Sequence, residues 1–396
     1  MTHEKPDATH ARAPLSIRRV GAVSAAGVGL DALWRATLAA APLAAPVDRY
    51  DTHDFAVRNA ALIAPSIWAA IDARWPGLDR ATQLALAAVD DALRGQALSP
   101  DTALFVGTSL GAVVAWEPWH RALTRGEALP VAPSRVGHDD TAPAVARALG
   151  LRGEVVTVST ACTSSAAALM QAADALRLGE IDAALVIGVD VLCRFVHAGF
   201  DRLCALTPDT APPAPFAVDR AGMWLGEAAA AVLLTRDGPA VARYLGGGTS
   251  GDGVHMTAPD RTGAGLARAV THALREANAS NADVAWVSAH ATSTRFNDAM
   301  EAAALRAVFG DTAPPVHGLK PVTGHTLGAS GLVEVALCVE ALRHRVRPPT
   351  HTPRERDPSL AWLTVDPAPT AMREGVALSL NAAMAGHNTA LVIGAP

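Results

Sequence analysis

Aromatic residues are scarce in this chain of 396 residues, at 4%, so its core is not assembled around large rings. Half of the residues are apolar and alanine is abundant, so small aliphatic side chains must fill the interior instead. Only four cysteines occur, Cys162, Cys193, Cys204 and Cys338, and none stands in a C-x-x-C pair or at zinc-ligand spacing. That excludes a disulfide scaffold and fits the reducing cytoplasm. No apolar run is long and charge-free enough to cross a bilayer, so no membrane span is expected. Blocks of like charge are missing too, and the net charge of −5 is spread along the chain, which argues against a nucleic-acid partner. The opening Met1-Thr-His-Glu-Lys-Pro lacks the apolar segment of a secretion signal. What remains is a cytoplasmic globular protein with ample core for one large domain or two medium ones.

The patterning that is present alternates short buried strands with amphipathic helices. Residues 1–14 read as a disordered lead-in. Strand-like segments follow at Leu15–Val23, Ala103–Gly107, Gly153–Ser159 and Asp182–Gly188, with helices expected at Gly29–Leu38, Asp79–Leu93 and Thr141–Leu149. Past residue 237 the same grammar restarts: a helix at Gly265–Ala279, a strand at Val284–Ala289, a helix at Asp298–Val308, a strand at Pro315–Leu319 and a helix at Gly331–Arg343. Two strands, Val376–Leu380 and Thr389–Gly394, close the chain. The expected organisation is therefore two α/β halves, 15–236 and 237–396, built on parallel sheets covered on both faces. The Pro-rich stretch Thr207–Pro215 is a surface excursion, since Phe216–Leu234 after it is core-like again.

Cys162 is the most informative residue. It lies between the β-branched Gly153–Ser159 run and an Ala-rich helical segment that ends at Gly179. A cysteine at a strand-to-helix junction sits near unpaired N–H groups and the positive end of the helix, which favours the nucleophilic thiolate. A buried structural cysteine fits the same stretch, and locally the two readings stay open. Three polar turns in the second half add weight to the first. His290 opens the turn after Val284–Ala289, Lys320-Pro-Val-Thr-Gly-His325 follows Pro315–Leu319, and Asn381–Asn388 joins the last two strands. Ligands of open α/β sheets bind beyond the carboxyl ends of strands, so these turns and the cysteine turn can converge on one cleft. A cysteine, two imidazoles and a lysine suit acyl transfer with control of developing negative charge.

Two other motifs compete. Gly107-Thr-Ser109-Leu-Gly111 matches a nucleophile elbow, which would make Ser109 the nucleophile of a serine hydrolase. That reading leaves Cys162, Lys320 and both histidine turns unexplained. The glycine run Gly246–Gly251 resembles a phosphate loop but lacks the lysine or helix start such a loop requires.

Four stretches decide the matter: Thr160-Ala-Cys162-Thr-Ser-Ser165, Pro215–Glu227, His290-Ala-Thr-Ser-Thr294 and Lys320–Gly331. In this order they resemble the β-ketoacyl-acyl carrier protein synthases of the thiolase superfamily, the condensing enzymes that elongate acyl chains. The resemblance runs from about residue 15 to the C-terminus. It implies an α/β, thiolase-like fold of two similar halves in a five-layered α-β-α-β-α core. It also implies a dimer formed through the sheet edge near the cysteine strand, either a homodimer or a heterodimer with a related synthase-like subunit. The implied reaction is decarboxylative Claisen condensation of acyl-Cys162 with a malonyl unit on an acyl carrier protein, in fatty acid, polyketide or polyene biosynthesis. A priming synthase or acyltransferase on the same fold is the alternative, as is a chain-length-determining partner subunit; such subunits lack the cysteine that this chain keeps.

The resemblance assigns roles by residue. Cys162 carries the acyl chain, and His290 and His325 bind the malonyl thioester carbonyl and the enolate. Lys320 supports the histidines through Glu334, and Thr292 and Thr294 bind the phosphopantetheine arm. No bound cofactor and no metal are implied; the carrier's arm is the substrate handle. The oxyanion donors are expected to be the Cys162 amide and an amide of the gate turn Met384, Ala385 and Gly386. Two departures stand out. The family's glycine after the first histidine is Ala291, and its Asn-Ser-Phe-Gly-Phe-Gly-Gly-Thr-Asn turn is shortened to Asn381-Ala-Ala-Met-Ala-Gly-His-Asn388. Met384 thus stands nearest to the gating phenylalanine, and His387 is an additional polar residue to which a structural role is given.

Overall fold

The computed structural model describes residues 12–129, 137–352 and 354–396. Most of the lead-in expected over residues 1–14 lies outside them. Two five-stranded halves repeat one pattern. In the first, Val155–Val158, Ala103–Gly107 and Ala183–Asp190 run parallel, and Ala228–Thr235 and then Leu15–Ser24 join antiparallel. In the second, Val316–Gly318, Val284–Ala289 and Val376–Ala382 run parallel, and His387–Gly394 and Ala242–Gly251 join antiparallel. The halves meet where Leu15–Ile17 pairs with Ala242–Tyr244.

Helices fill three layers around these strands. The Ser164–Leu178 and Ser330–His344 helices lie between the halves and share one core with strand residues from both. From Ser330 to Leu342 every residue of the second is buried, Glu334 and Glu340 included; its other faces are apolar, as expected of a helix enclosed on all sides. Ala166, Ala167, Ala168, Ala172 and Ala173 give the first helix the same slim profile, which is how a core poor in aromatics closes up. The Pro65–Arg74, Arg80–Leu93 and Thr141–Leu149 helices cover the outer face of the first half. Ala264–Glu276 and Arg295–Phe309 cover that of the second. The result is the α-β-α-β-α sandwich of a thiolase-like fold.

The strands differ from the sequence expectation in two respects: the sheet is mixed, and Ala228–Thr235 and Ala242–Gly251 join it. Val376–Ala382 and His387–Gly394 are joined by a turn too short for a crossover, so they must pair antiparallel. The glycine run is not a phosphate loop but part of the Ala242–Gly251 strand. Its glycines admit the Ala264–Glu276 helix, since a Cβ at Gly248 would stand 2.0 Å from the Ala269 carbonyl oxygen.

Candidate active site

The nucleophile turn is built on a strained residue. Ala161 has φ 53, in the left-handed region that disfavours a side chain. Side chains just beyond it hold the turn. The Ser164 hydroxyl accepts from the Thr160 N–H (2.9 Å) and donates to the Ala161 carbonyl (2.6 Å), and the Thr163 hydroxyl donates to the Thr160 carbonyl (2.6 Å). Gly107 lets the start of the Ser164–Leu178 helix close onto the sheet, since a Cβ there would lie 2.4 Å from Ser165 Cα. Cys162 is therefore fixed at the head of the helix, 7% exposed, with its side chain on a cleft of about 570 Å³.

Both histidines face the same cleft. His325 is held by its backbone, which donates to the Trp224 carbonyl and accepts from the Gly226 N–H. Its Nε2 lies 3.1 Å from Cys162 Sγ and its Nδ1 3.1 Å from the Ser330 hydroxyl. His290 stands edge-on to it, with ring centroids 5.2 Å apart. Glu301, on the Arg295–Phe309 helix, accepts the N–H groups of His290 (2.6 Å) and Ala291 (2.9 Å) and so orients that turn. Ala291 sits at φ 42, which explains why a glycine suits this position.

Lys320 lies behind the histidines, buried, with Nζ 2.7 Å from Glu334 Oε1. Asn381 Nδ2 donates to the other carboxylate oxygen at 2.7 Å. Burial, with the charge of Lys320 beside it, holds both His290 and His325 well below the usual imidazole range. Burial also pushes the Cys162 thiol up to about 12, against the pull of Lys320. The resting site is thus a neutral thiol next to two neutral imidazoles. Desolvation outweighs the helix-end effect that the sequence suggested.

Thr292 and Thr294 line the cleft with their hydroxyls 3.1 Å apart, and Thr294 also caps the Arg295–Phe309 helix. The gate turn forms the facing wall through Ala382, Ala383 and Met384. Backbone pairing narrows the expected donor to one residue of the turn. The Gly386 N–H is spent on the Ala383 carbonyl (3.1 Å) and that of Ala385 on the Met256 carbonyl (2.7 Å), so the Met384 N–H is the remaining candidate in the turn. The structure gives Ser109 no base to activate it among the described residues. Its hydroxyl oxygen is buried with no hydrogen-bond partner among the described residues, and its N–H donates to Asp190.

Glu301, Asn381 and Asp190 escaped the sequence reading as site residues. Asp190 is fully buried and accepts from the Thr108 hydroxyl and the N–H groups of Ser109, Leu110 and Gly328. It thereby ties the end of one strand to the loop that follows His325. An acid at the end of a strand or on a helix reads as surface charge until the fold shows what covers it.

Residues 15–240 match the family described as "Beta-ketoacyl synthase, N-terminal domain", and residues 241–353 match "Beta-ketoacyl synthase, C-terminal domain". "Nodulation protein E" of Rhizobium meliloti is 32% identical over 332 residues, 79% of this chain and 82% of the relative. The "Tetracenomycin polyketide synthase ketoacyl synthase alpha subunit" of Streptomyces glaucescens is 29% identical and covers 98% of both chains. Among solved structures, "The ishigamide ketosynthase/chain length factor" superposes with a TM-score of 0.89 at 30% identity, over 98% of this chain and 100% of the other.

Proposed function

The chain belongs to the β-ketoacyl synthase family, and from that premise we propose that it joins an acyl group on Cys162 to a malonyl unit carried by an acyl carrier protein. The observation that carries this reading is the 3.1 Å contact between His325 Nε2 and Cys162 Sγ, with His290 edge-on beside it. In the loading step Sγ attacks the carbonyl of the acyl thioester while its proton passes to Nε2. The Cys162 and Met384 N–H groups take the oxyanion. As the tetrahedral intermediate collapses, the carrier's carbon–sulfur bond breaks and Nε2–H returns the proton to the departing sulfur.

In the condensing step the malonyl thioester oxygen accepts hydrogen bonds from His290 and His325. Negative charge develops there as carbon dioxide leaves, so two imidazole N–H donors in a dry site lower the barrier. The enolate carbon attacks the acyl-Cys162 carbonyl, the carbon–sulfur bond breaks, and the departing thiolate takes a proton from solvent by way of His325 Nε2, which restores the neutral thiol. Neutral histidines suit this role because an N–H donor must be present without a competing charge. The Ser330 hydroxyl can partner His325 Nδ1 as acceptor or donor, so either ring tautomer stays satisfied. His290 Nδ1 has no partner and is buried; an unmatched lone pair costs less than an unmatched N–H, which favours the Nε2–H form there. Thr292 and Thr294 hold the phosphopantetheine arm at the mouth, and Lys320 acts through Glu334 without touching the substrate. The reaction runs in the cytoplasm with a carrier-bound handle and no resident cofactor.

Incubating the protein with a panel of acyl carrier proteins, each bearing a different acyl chain, and reading Cys162 by mass spectrometry tests this. The expected result is one acyl adduct on Cys162 and loss of condensation in Cys162→Ala. Condensation by Cys162→Ala, or adducts spread evenly over Cys162 and the exposed Cys204, would overturn the reading.

A partner chain, identical or related, is favoured by a separate observation. Among the described residues Val155–Val158 is the edge strand of the first half, with Val155 38% exposed, and the Val113–Arg125 helix buries only Ala122. An exposed edge strand among the described residues suits a second synthase-like chain. The ishigamide structure pairs a ketosynthase with a chain length factor. Light scattering of the purified chain distinguishes a homodimer from a monomer that waits for another subunit.

A further inference from the structure

His387 reaches from the gate turn to the nucleophile turn. Its Nδ1 lies 2.8 Å from the Thr163 hydroxyl and its Nε2 3.0 Å from the Thr249 hydroxyl. The proton order along this line follows from counting. The Thr163 hydroxyl has a single proton, and its shortest contact, 2.6 Å, is to the Thr160 carbonyl, so toward His387 it acts as acceptor. Nδ1 therefore carries hydrogen and Nε2 accepts from the Thr249 hydroxyl, whose single proton has Nε2 at 3.0 Å and the Asn388 carbonyl farther off at 3.2 Å. The chain of bonds reads Thr249 O–H to Nε2, Nδ1–H to Thr163, and Thr163 O–H to the Thr160 carbonyl, two residues before Cys162. Burial favours this neutral ring over the imidazolium.

At its other end His387 is part of the gate turn itself. The His387 carbonyl accepts the Ala383 N–H at 2.8 Å and so closes the loop that carries Met384. Thr249 belongs to the Ala242–Gly251 strand, which pairs with the strand that His387 opens. One imidazole thus braces two walls against the same sheet. One wall bears the Cys162 N–H and the other the Met384 N–H, the two groups assigned to the oxyanion of acyl transfer.

We propose that His387 is a positioning residue for acyl transfer, a strut that sets the spacing of the two oxyanion donors through its hydrogen bonds to Thr163 and Thr249. The proposal rests on the condensing-enzyme reading above. The strut bears on the acyl carbonyl at Cys162 and not on the malonyl carbonyl, which His290 and His325 serve, so its loss must separate the half-reactions.

The test compares His387→Leu, which fills similar space without a hydrogen bond, with His387→Asn, whose side-chain amide replaces Nδ1. Acylation of Cys162 is followed in single turnovers, and release of carbon dioxide from malonyl carrier protein is followed on enzyme already acylated. In His387→Leu the saturated acylation rate should fall about ten- to a hundred-fold, the scale of a misplaced oxyanion donor. Its KM for the acyl donor should stay unchanged, decarboxylation should stay within about two-fold of wild type, and His387→Asn should recover most of the acylation rate. Should His387→Leu fail to fold by circular dichroism, Thr163→Val removes the same bond from the other side and must give the same selective loss. Equal losses in both half-reactions, no loss in either, or no rescue by asparagine would overturn the strut. Failure of the wild type itself to acylate Cys162 would instead overturn the condensing reading.

Discussion

His325 Nε2 touches Cys162 Sγ at 3.1 Å, whereas His290 meets His325 edge-on across the cleft. The two histidines are therefore not equivalent. His325 is placed for both half-reactions and His290 for the malonyl step alone. His290→Ala should slow decarboxylation by about 10²–10³ and leave acyl loading within a few-fold of wild type. His325→Ala should slow both. Mass spectrometry of Cys162 loading beside carbon dioxide release measures the two rates. Equal loading by both variants would remove the thiol contact from the mechanism.

Lys320, Glu334 and Asn381 form a buried set in which each carboxylate oxygen has one partner at 2.7 Å. Removing either ion strands the other in a dry site, a loss of about 3–5 kcal/mol. Glu334→Leu and Lys320→Met should each destabilise the protein on that scale. The double variant leaves no unpaired charge and should melt nearer to wild type while staying poorly active. A double variant as unstable as the sum of the two would show that the ions contribute independently.

Much of this site was legible in the sequence because its signals are local. A β-branched run, a cysteine and an alanine-rich helix ending at glycine form one continuous stretch, and Gly179 does take the left-handed position, at φ 76. Ala103–Gly107 and Val284–Ala289 appear at the expected bounds for the same reason. The strand Ala228–Thr235 was readable only as core, because four successive alanines carry no strand preference. The strand through Gly246–Gly248 looked like a loop because its glycines answer to a helix on another part of the chain. Glu301 and Asp190 were hidden for a related reason. What they do depends on backbone N–H groups that only the folded chain brings to them.

Glu301 and Asp298 give the protein a pH signature. Burial pushes the Glu301 carboxyl up to about 8, against two backbone N–H bonds, and that of Asp298 up to about 6. Both folded values lie above the ordinary 4.5 and 3.8. Below those ordinary values each group is protonated in both states, and its stabilising contribution is fully present. As pH rises the unfolded chain ionises first, so stability falls by at most about 1.4 kcal/mol per pH unit per group. The loss ends near pH 6 for Asp298 and near pH 8 for Glu301. Urea unfolding at pH 5, 6.5 and 8 should show the decline, and Glu301→Gln should flatten it between pH 6.5 and 8. Parallel slopes for the variant and wild type would mean that Glu301 is ionised in the fold throughout.

The shortened gate turn leaves gating to one side chain. Its backbone is pinned: Ala383 donates to the His387 carbonyl, Ala385 to that of Met256, and the Gly386 carbonyl accepts from Asp252 at 2.7 Å. Ala385 at φ 67 and Gly386 at φ 76 bend it sharply. A turn held at so many points does not swing readily, so gating falls to the Met384 side chain, half-buried on the cleft wall. Methionine is flexible and adapts its shape, so it blocks the acyl site less firmly than a ring does. The wild type should therefore decarboxylate some malonyl carrier protein before Cys162 is loaded, and should accept long or rigid unsaturated acyl chains. Met384→Phe should suppress the unproductive decarboxylation and narrow the range of chains found on Cys162. Carbon dioxide release without an acyl donor, paired with a chain-length profile by mass spectrometry, decides it. Identical profiles and identical idle decarboxylation in the two proteins would show that Met384 does not gate the site.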